Sequence, residues 1–292
     1  EVFLLRCEVG PRRKPARGCF MTPAFLAQFA AGCFLAVAVS SIRQCGWKYL
    51  RLMAAVSLAV GFFSALLVVR EPAASGDAYR TAALAGLGGA VLLATVWLFV
   101  NAAQGERIGG VQRVLPAAAS VLAMVAAVAL SQRPDALLAG GSRVAGAATP
   151  HLLALGVSTA LGAALLGLAT AAMLLGHRYL TDTDMPIAPL RRLARLYLAA
   201  VALRIVWVGA ASAPIWSAGF RPASDYVWFW VMMTVRVGVG LLGTAVFAYM
   251  VWDCVRRRAT QSATALFYLS MVFVFLGELA GQYLARTEAL AM

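Results

Sequence analysis

The chain has 292 residues, of which 62% are hydrophobic and only 13% charged, with a formal net charge of +13 and a mean hydropathy of +0.81. A soluble domain is about half apolar and a quarter charged, so these values exclude one and point to a polytopic membrane protein. The positive charge does not imply a nucleic-acid partner, because the basic residues lie in short loops between apolar stretches, where the positive-inside rule accounts for them.

Residues 1–20 hold Arg6, Arg12, Arg13, Lys14 and Arg17, and Met21 then opens a clean apolar run. That run is a full span with no cleavage site, which argues against a signal peptide. The expectation is that 1–20 is a basic stretch, either disordered or not native, and that the membrane domain occupies 21–292.

Eight segments of roughly 20 apolar residues follow, each long enough to cross a hydrocarbon core of about 30 Å. They lie at about 23–41, 50–69, 80–103, 114–131, 151–177, 193–213, 226–252 and 262–285. The expected fold class is all-α, a polytopic transmembrane helical bundle of eight spans. The connections are short and turn-like, as at Arg70-Glu71-Pro72 and between Pro186 and Pro189, and no internal repeat stands out. In the fifth segment Thr159, Ala163, Gly167 and Ala171 share a face at four-residue spacing, which predicts a close packing seam.

The loops and borders after the first, third, fifth and seventh segments hold 12 Lys and Arg residues, against 6 on the opposite side. The richer side is expected to be cytoplasmic, which places both termini outside, in a bacterial cytoplasmic membrane. Tyr226, Trp228 and Trp230 open the seventh segment, Trp216 precedes it, and Trp47 and Trp252 lie at the cytoplasmic border; all read as aromatic belts. Cys7, Cys19, Cys33, Cys45 and Cys254 show neither CxxC nor metal-ligand spacing. Cys33 reads as packing, and Cys45 and Cys254 as loop thiols.

Three charges interrupt the apolar segments. Arg204 lies nine residues before Ala213, Arg236 ten after Tyr226, and Glu278 seven before Ala285. At 1.5 Å per residue all three sit roughly 10–15 Å below the outer surface. Charges at that depth face the bundle interior and pair, so the sixth, seventh and eighth helices are expected to be neighbours. Gln282 shares a face with Glu278. Gln28 falls in the outer half of the first helix, and His151 begins the fifth on the outer side.

The constellation has two readings. As a structural clasp, Glu278 neutralises one arginine while Gln28 and Gln282 satisfy spare donors. As a ligand site, two arginines against one carboxylate leave a positive excess that a quinone head group or a lipid phosphate would complete. Glu278 could also serve a proton path. Such a site would open to lipid between the eighth helix and the first or seventh, with Phe273, Phe275 and Tyr283 as walls; otherwise Phe273 and Phe275 simply face lipid.

His151 and His177 bracket one helix, 26 residues and thus about 39 Å apart, so they cannot ligate one haem. His177 reads as interfacial, and Asp182 and Asp184 as solvated turn residues. No nucleophile elbow, P-loop or zinc motif is present. No metal and no covalently bound cofactor is expected.

Gln28, Ala31, Gly32, Phe34 and Ala38 in the first helix, with Gly277-Glu278-Leu279-Ala280-Gly281 in the last, resemble the terminal helices of dimethyl sulfoxide reductase anchor subunits. That resemblance implies a cofactor-free, quinol-interacting anchor for an extracytoplasmic molybdenum and iron–sulfur enzyme. The segment of that family that carries a histidine-rich turn and a quinol-associated carboxylate corresponds here to residues 68–80, which contain no histidine. A quinone role would therefore rest on Arg204, Arg236 and Glu278.

The function expected first is a membrane subunit of a respiratory or photosynthetic electron-transfer complex. It would anchor other subunits and contact quinone or lipid in the outer leaflet. The rivals are a secondary transporter or channel, which predicts broken helices near the midplane, and a purely structural or assembly subunit. The best places for a break, Gly86 to Gly89 and the Gly238, Gly240, Gly243 run, read as ordinary close-packing glycines.

Overall fold

Eight helices form on the eight apolar segments in a computed structural model, which describes residues 21–40, 45–70, 77–104, 111–131, 148–181, 185–216, 222, 225–288 and 290. They are α1 (Met21–Val39), α2 (Trp47–Arg70), α3 (Ala78–Gln104), α4 (Val111–Ser131), α5 (Ala148–Thr181), α6 (Ala188–Ala211), α7 (Tyr226–Arg256) and α8 (Thr260–Thr287). A short 3₁₀ turn, Ala213–Trp216, closes α6. No strand occurs among the described residues. The basic stretch 1–20 and the turn residues Asp182 and Asp184 lie outside them.

Helices α2 to α8 are long and apolar enough to cross a membrane, so the chain is an integral membrane protein; α1 contributes a shorter apolar stretch, Pro23–Val39. Large apolar side chains stand exposed around the outside, among them Phe62, Phe99, Val206, Val227 and Tyr249. Only lipid solvates such a surface, and helices are the form in which a backbone satisfies itself there.

The helices close into two rings of four. In the first, α1 packs on α2, α2 on α3, α3 on α4 and α4 on α1; in the second, α5 through α8 repeat the same cyclic order. Sequence alone showed no repeat, because Ala- and Leu-rich spans carry little that distinguishes one from another. The rings meet chiefly along α1 and α5. No position from Pro23 to Ser40 is exposed, as expected of a helix apolar all round. Ser64 of α2 and Ser120 of α4 donate to the Pro23 and Ala31 carbonyls of α1, each at 2.8 Å.

The seam expected on α5 is the ring interface. A Cβ on Gly32 would stand 1.9 Å from the Ala163 carbonyl oxygen, and one on Gly167 would stand 1.9 Å from that of Gly32. The two backbones touch at a spacing that only glycine permits. Further along, Tyr49 donates to the Ala171 carbonyl at 3.0 Å and Arg178 to that of Cys45 at 2.7 Å. The helices α1 and α5 therefore run parallel.

Several local expectations change. Cys45 is buried against the bundle, and Cys254 sits within the last turns of α7. Trp47 stacks on the buried Trp97, with ring centroids 5.7 Å apart. Phe275 packs edge-on against Phe25 and Phe29 of α1, and Phe273 against Phe247 of α7. Both phenylalanines thus pack on neighbouring helices. Apolar side chains favour lipid and a helix interface about equally, so polarity could not tell the two apart.

The largest departure is in α7. Its middle, Val235–Gly243, is a π-helix, a form with i→i+5 hydrogen bonds that is rare and concentrates at functional sites. The Gly238, Gly240, Gly243 run is therefore a change of helix type as well as a packing face. Gly240 meets Gly277 of α8, where a Cβ would lie 2.3 Å from the opposing Cα.

Candidate functional site

Ring closure of α5 to α8 brings the three intramembrane charges together, as their equal depth requires. Glu278 of α8 is the hub. Arg204 of α6 meets it edge to edge, with Nε 3.0 Å from Oε1 and Nη2 2.8 Å from Oε2. Arg236 of α7 donates from Nη1 to the same Oε1 at 2.9 Å. Gln28 of α1 donates from Nε2 to Oε2 at 3.2 Å. The carboxylate thus accepts four hydrogen bonds, three of them from guanidinium groups. All four of these side chains are buried, none with more than 2% of its surface exposed.

A second layer holds the first. Arg204 Nη1 donates to the Ser158 carbonyl at 2.8 Å and to its hydroxyl at 3.0 Å, tying α6 to α5. Arg236 Nη1 also donates to the Gly277 carbonyl at 2.8 Å. Gln282, one turn out from Glu278, donates to Gln28 Oε1. Glycines make room for the polar tips. A Cβ on Gly162 would lie 2.1 Å from Gln28 Nε2 and 2.2 Å from Glu278 Oε2, and one on Gly281 would lie 2.8 Å from Arg236 Cζ. One helix of the first ring and all four of the second contribute.

The two arginines differ in what they leave open. Arg236 has both hydrogens of Nη1 engaged, but its Nε and Nη2 are buried with no partner among the described residues. Gln282 Oε1 is likewise buried and unpartnered. Leaving a buried donor unsatisfied costs about 1–3 kcal/mol, and more where it is charged. Among the described residues the cluster also carries a surplus positive charge. Beyond Glu278, the acidic residues of α6 to α8 and their caps are Asp225, Asp253 and Glu288, each at a helix end. Asp253 is already paired with Arg257 at 2.8 Å.

Of the expected site residues, Gln28, Arg204, Arg236, Glu278 and Gln282 come together. For His151 only the backbone, in the first turn of α5, is described. The place on α5 beside the cluster belongs to Ser158, two turns deeper, which sequence reasoning missed. The depth count applied to the charges would have found it. His177 is exposed at the far end of α5, near Tyr268. Among the described residues no group of His, Cys, Asp and Glu is arranged to hold a metal ion. The chain matches no protein-family model and no curated protein.

Proposed function

We propose that the chain spans the bacterial cytoplasmic membrane eight times, with α1 as the shortest span and both termini outside. In this reading the Arg204–Glu278–Arg236 cluster holds the acceptor-bearing head group of a quinone or lipid, in the membrane subunit of an electron-transfer complex. The observation that carries it is the pair of unpartnered donors on Arg236. Buried polar groups find partners, and a charged side chain below the membrane surface marks a candidate site. A structural clasp would need one arginine, and Arg204 alone already matches both carboxylate oxygens. The test is purification from native membranes. Redox subunits should accompany the chain, and it should bind a quinone analogue in a manner lost in Arg236→Leu and kept in Phe273→Leu. A lone chain that binds neither quinone nor lipid would overturn the reading.

A transporter is the second reading, and α7 favours it. A π-helical stretch of nine residues beside a buried charge cluster is the kind of local irregularity that transport folds place at their binding sites. Solute uptake into vesicles holding the purified chain, absent in Arg236→Leu, would favour it over the subunit.

A further inference from the structure

The two arginines turn different edges toward Glu278, and the difference identifies a ligand class. A guanidinium presents its Nε–H and one Nη2–H side by side, a fork that matches two oxygens of a carboxylate or phosphate. Arg204 places that fork on Glu278, Nε on Oε1 and Nη2 on Oε2. Arg236 reaches Glu278 and the Gly277 carbonyl through Nη1 alone, and its fork has no acceptor among the described residues. The same side chain is therefore used as an oxyanion clamp once, with the second clamp left open.

Charge and position agree with geometry. Two guanidinium groups and one carboxylate sum to one positive charge, and Arg236 is fully buried, so one negative charge would balance the cluster. The guanidinium is held in place rather than free to turn toward another protein acceptor. Gly281 lies against its Cζ and Nε, and Nη1 is tied to two oxygens on α8.

We propose that the Nε/Nη2 edge of Arg236 is a binding site for one monoanionic group with two equivalent oxygens, a carboxylate or a phosphodiester. This rests on the head-group site proposed above and narrows its ligand. A quinone carbonyl offers a single acceptor oxygen to a two-pronged fork, so the anion is preferred. The group could arrive on a lipid or as a free solute.

The experiment is a binding series on the full chain in neutral detergent, read by tryptophan fluorescence or thermal unfolding. The probes are oleate, methyl oleate, short-chain phosphatidylglycerol, acetate, inorganic phosphate and decylubiquinone. Oleate or phosphatidylglycerol should bind at least tenfold more tightly than methyl oleate; acetate or phosphate binding as well as the lipids would make the source a free solute. In Arg236→Lys, which keeps the charge and loses the fork, oxyanion affinity should fall at least tenfold. Gly281→Ala, which presses a Cβ against the guanidinium without altering any charge, should do the same. The comparison of oleate with its methyl ester needs no variant and stands even if these variants fail to fold. Equal binding of oleate and methyl oleate, or oxyanion binding unchanged in Arg236→Lys, would overturn the inference. Decylubiquinone binding that needs Arg236, with no oxyanion binding, would sink this inference and leave the quinone reading standing. Silence from every probe would end both.

Discussion

Arg204 and Glu278 form a two-bond pair at the centre of the second helical ring, with Nε 3.0 Å from Oε1 and Nη2 2.8 Å from Oε2. Arg236 joins the same carboxylate through one nitrogen only. The cluster is therefore one matched pair with a further cation attached, and the two arginines should not be equivalent in stability.

Arg204→Leu is expected to cost roughly 3–5 kcal/mol, the usual penalty for removing one partner of a buried pair. It also removes the two hydrogen bonds by which Arg204 ties α6 to the Ser158 carbonyl and hydroxyl. Arg236→Leu removes two good hydrogen bonds but also two unsatisfied donors and the excess charge, so a loss below about 2 kcal/mol is expected. Thermal unfolding in detergent distinguishes the two. Equal losses, or a larger one for Arg236→Leu, would show that the second arginine is structurally essential.

Glu278→Gln should be the most damaging single change in the cluster, at or above the upper end of about 3–5 kcal/mol, because it leaves two buried guanidinium groups without a counter-charge. The double variant Glu278→Gln/Arg236→Leu should recover part of that loss, since it removes one of them. A double-mutant cycle measures the recovery. If the losses simply add, the carboxylate and Arg236 are not coupled.

Much of this was legible in the sequence because membrane depth is a ruler. Counting residues from the segment ends placed Arg204, Arg236 and Glu278 at one level, and a charge at that level has few places to go except to another charge. The α5 seam was legible for a similar reason, since small residues at four-residue spacing have little use in lipid except close approach. Gly162 and Gly281 were not legible. Each is an ordinary small residue in a span until the neighbour that touches it is known. The π stretch of α7 was hidden as well, because glycines permit a change of helix type without specifying one. Which edge of Arg236 stays open depends on its rotamer, which only the packing of α8 decides.

The ring interface gives a sharp contrast among glycines. Gly32→Ala and Gly167→Ala each drive a Cβ to within 1.9 Å of a backbone oxygen on the opposite helix. A backbone cannot give way as a side-chain tip can, so each should cost about 1–3 kcal/mol or more. Gly88→Ala and Gly209→Ala meet nothing within 4 Å. They should be neutral or raise stability by up to about 1 kcal/mol through helix propensity. Thermal unfolding of the four variants checks the seam, and a neutral Gly32→Ala would mean that α1 and α5 stand further apart.

Orientation can be tested from the exposed ends of α7 and α8. Asp225 precedes α7, Ser262 lies in the first turn of α8, and both are exposed. If both termini are outside, α7 starts at the outer face and α8 at the inner one. Cysteine placed at Asp225 should then react with a membrane-impermeant maleimide on intact spheroplasts. Cysteine at Ser262 should react only after permeabilisation. The background is a chain whose five native cysteines are replaced. A third site reports on α1. Ser40 ends that helix, and α1 runs parallel to α5, whose Arg178 contacts the Cys45 carbonyl, so cysteine at Ser40 should behave like cysteine at Ser262. Labelling of Ser262→Cys from outside would invert the whole arrangement, and with it the leaflet from which a head group reaches Arg236.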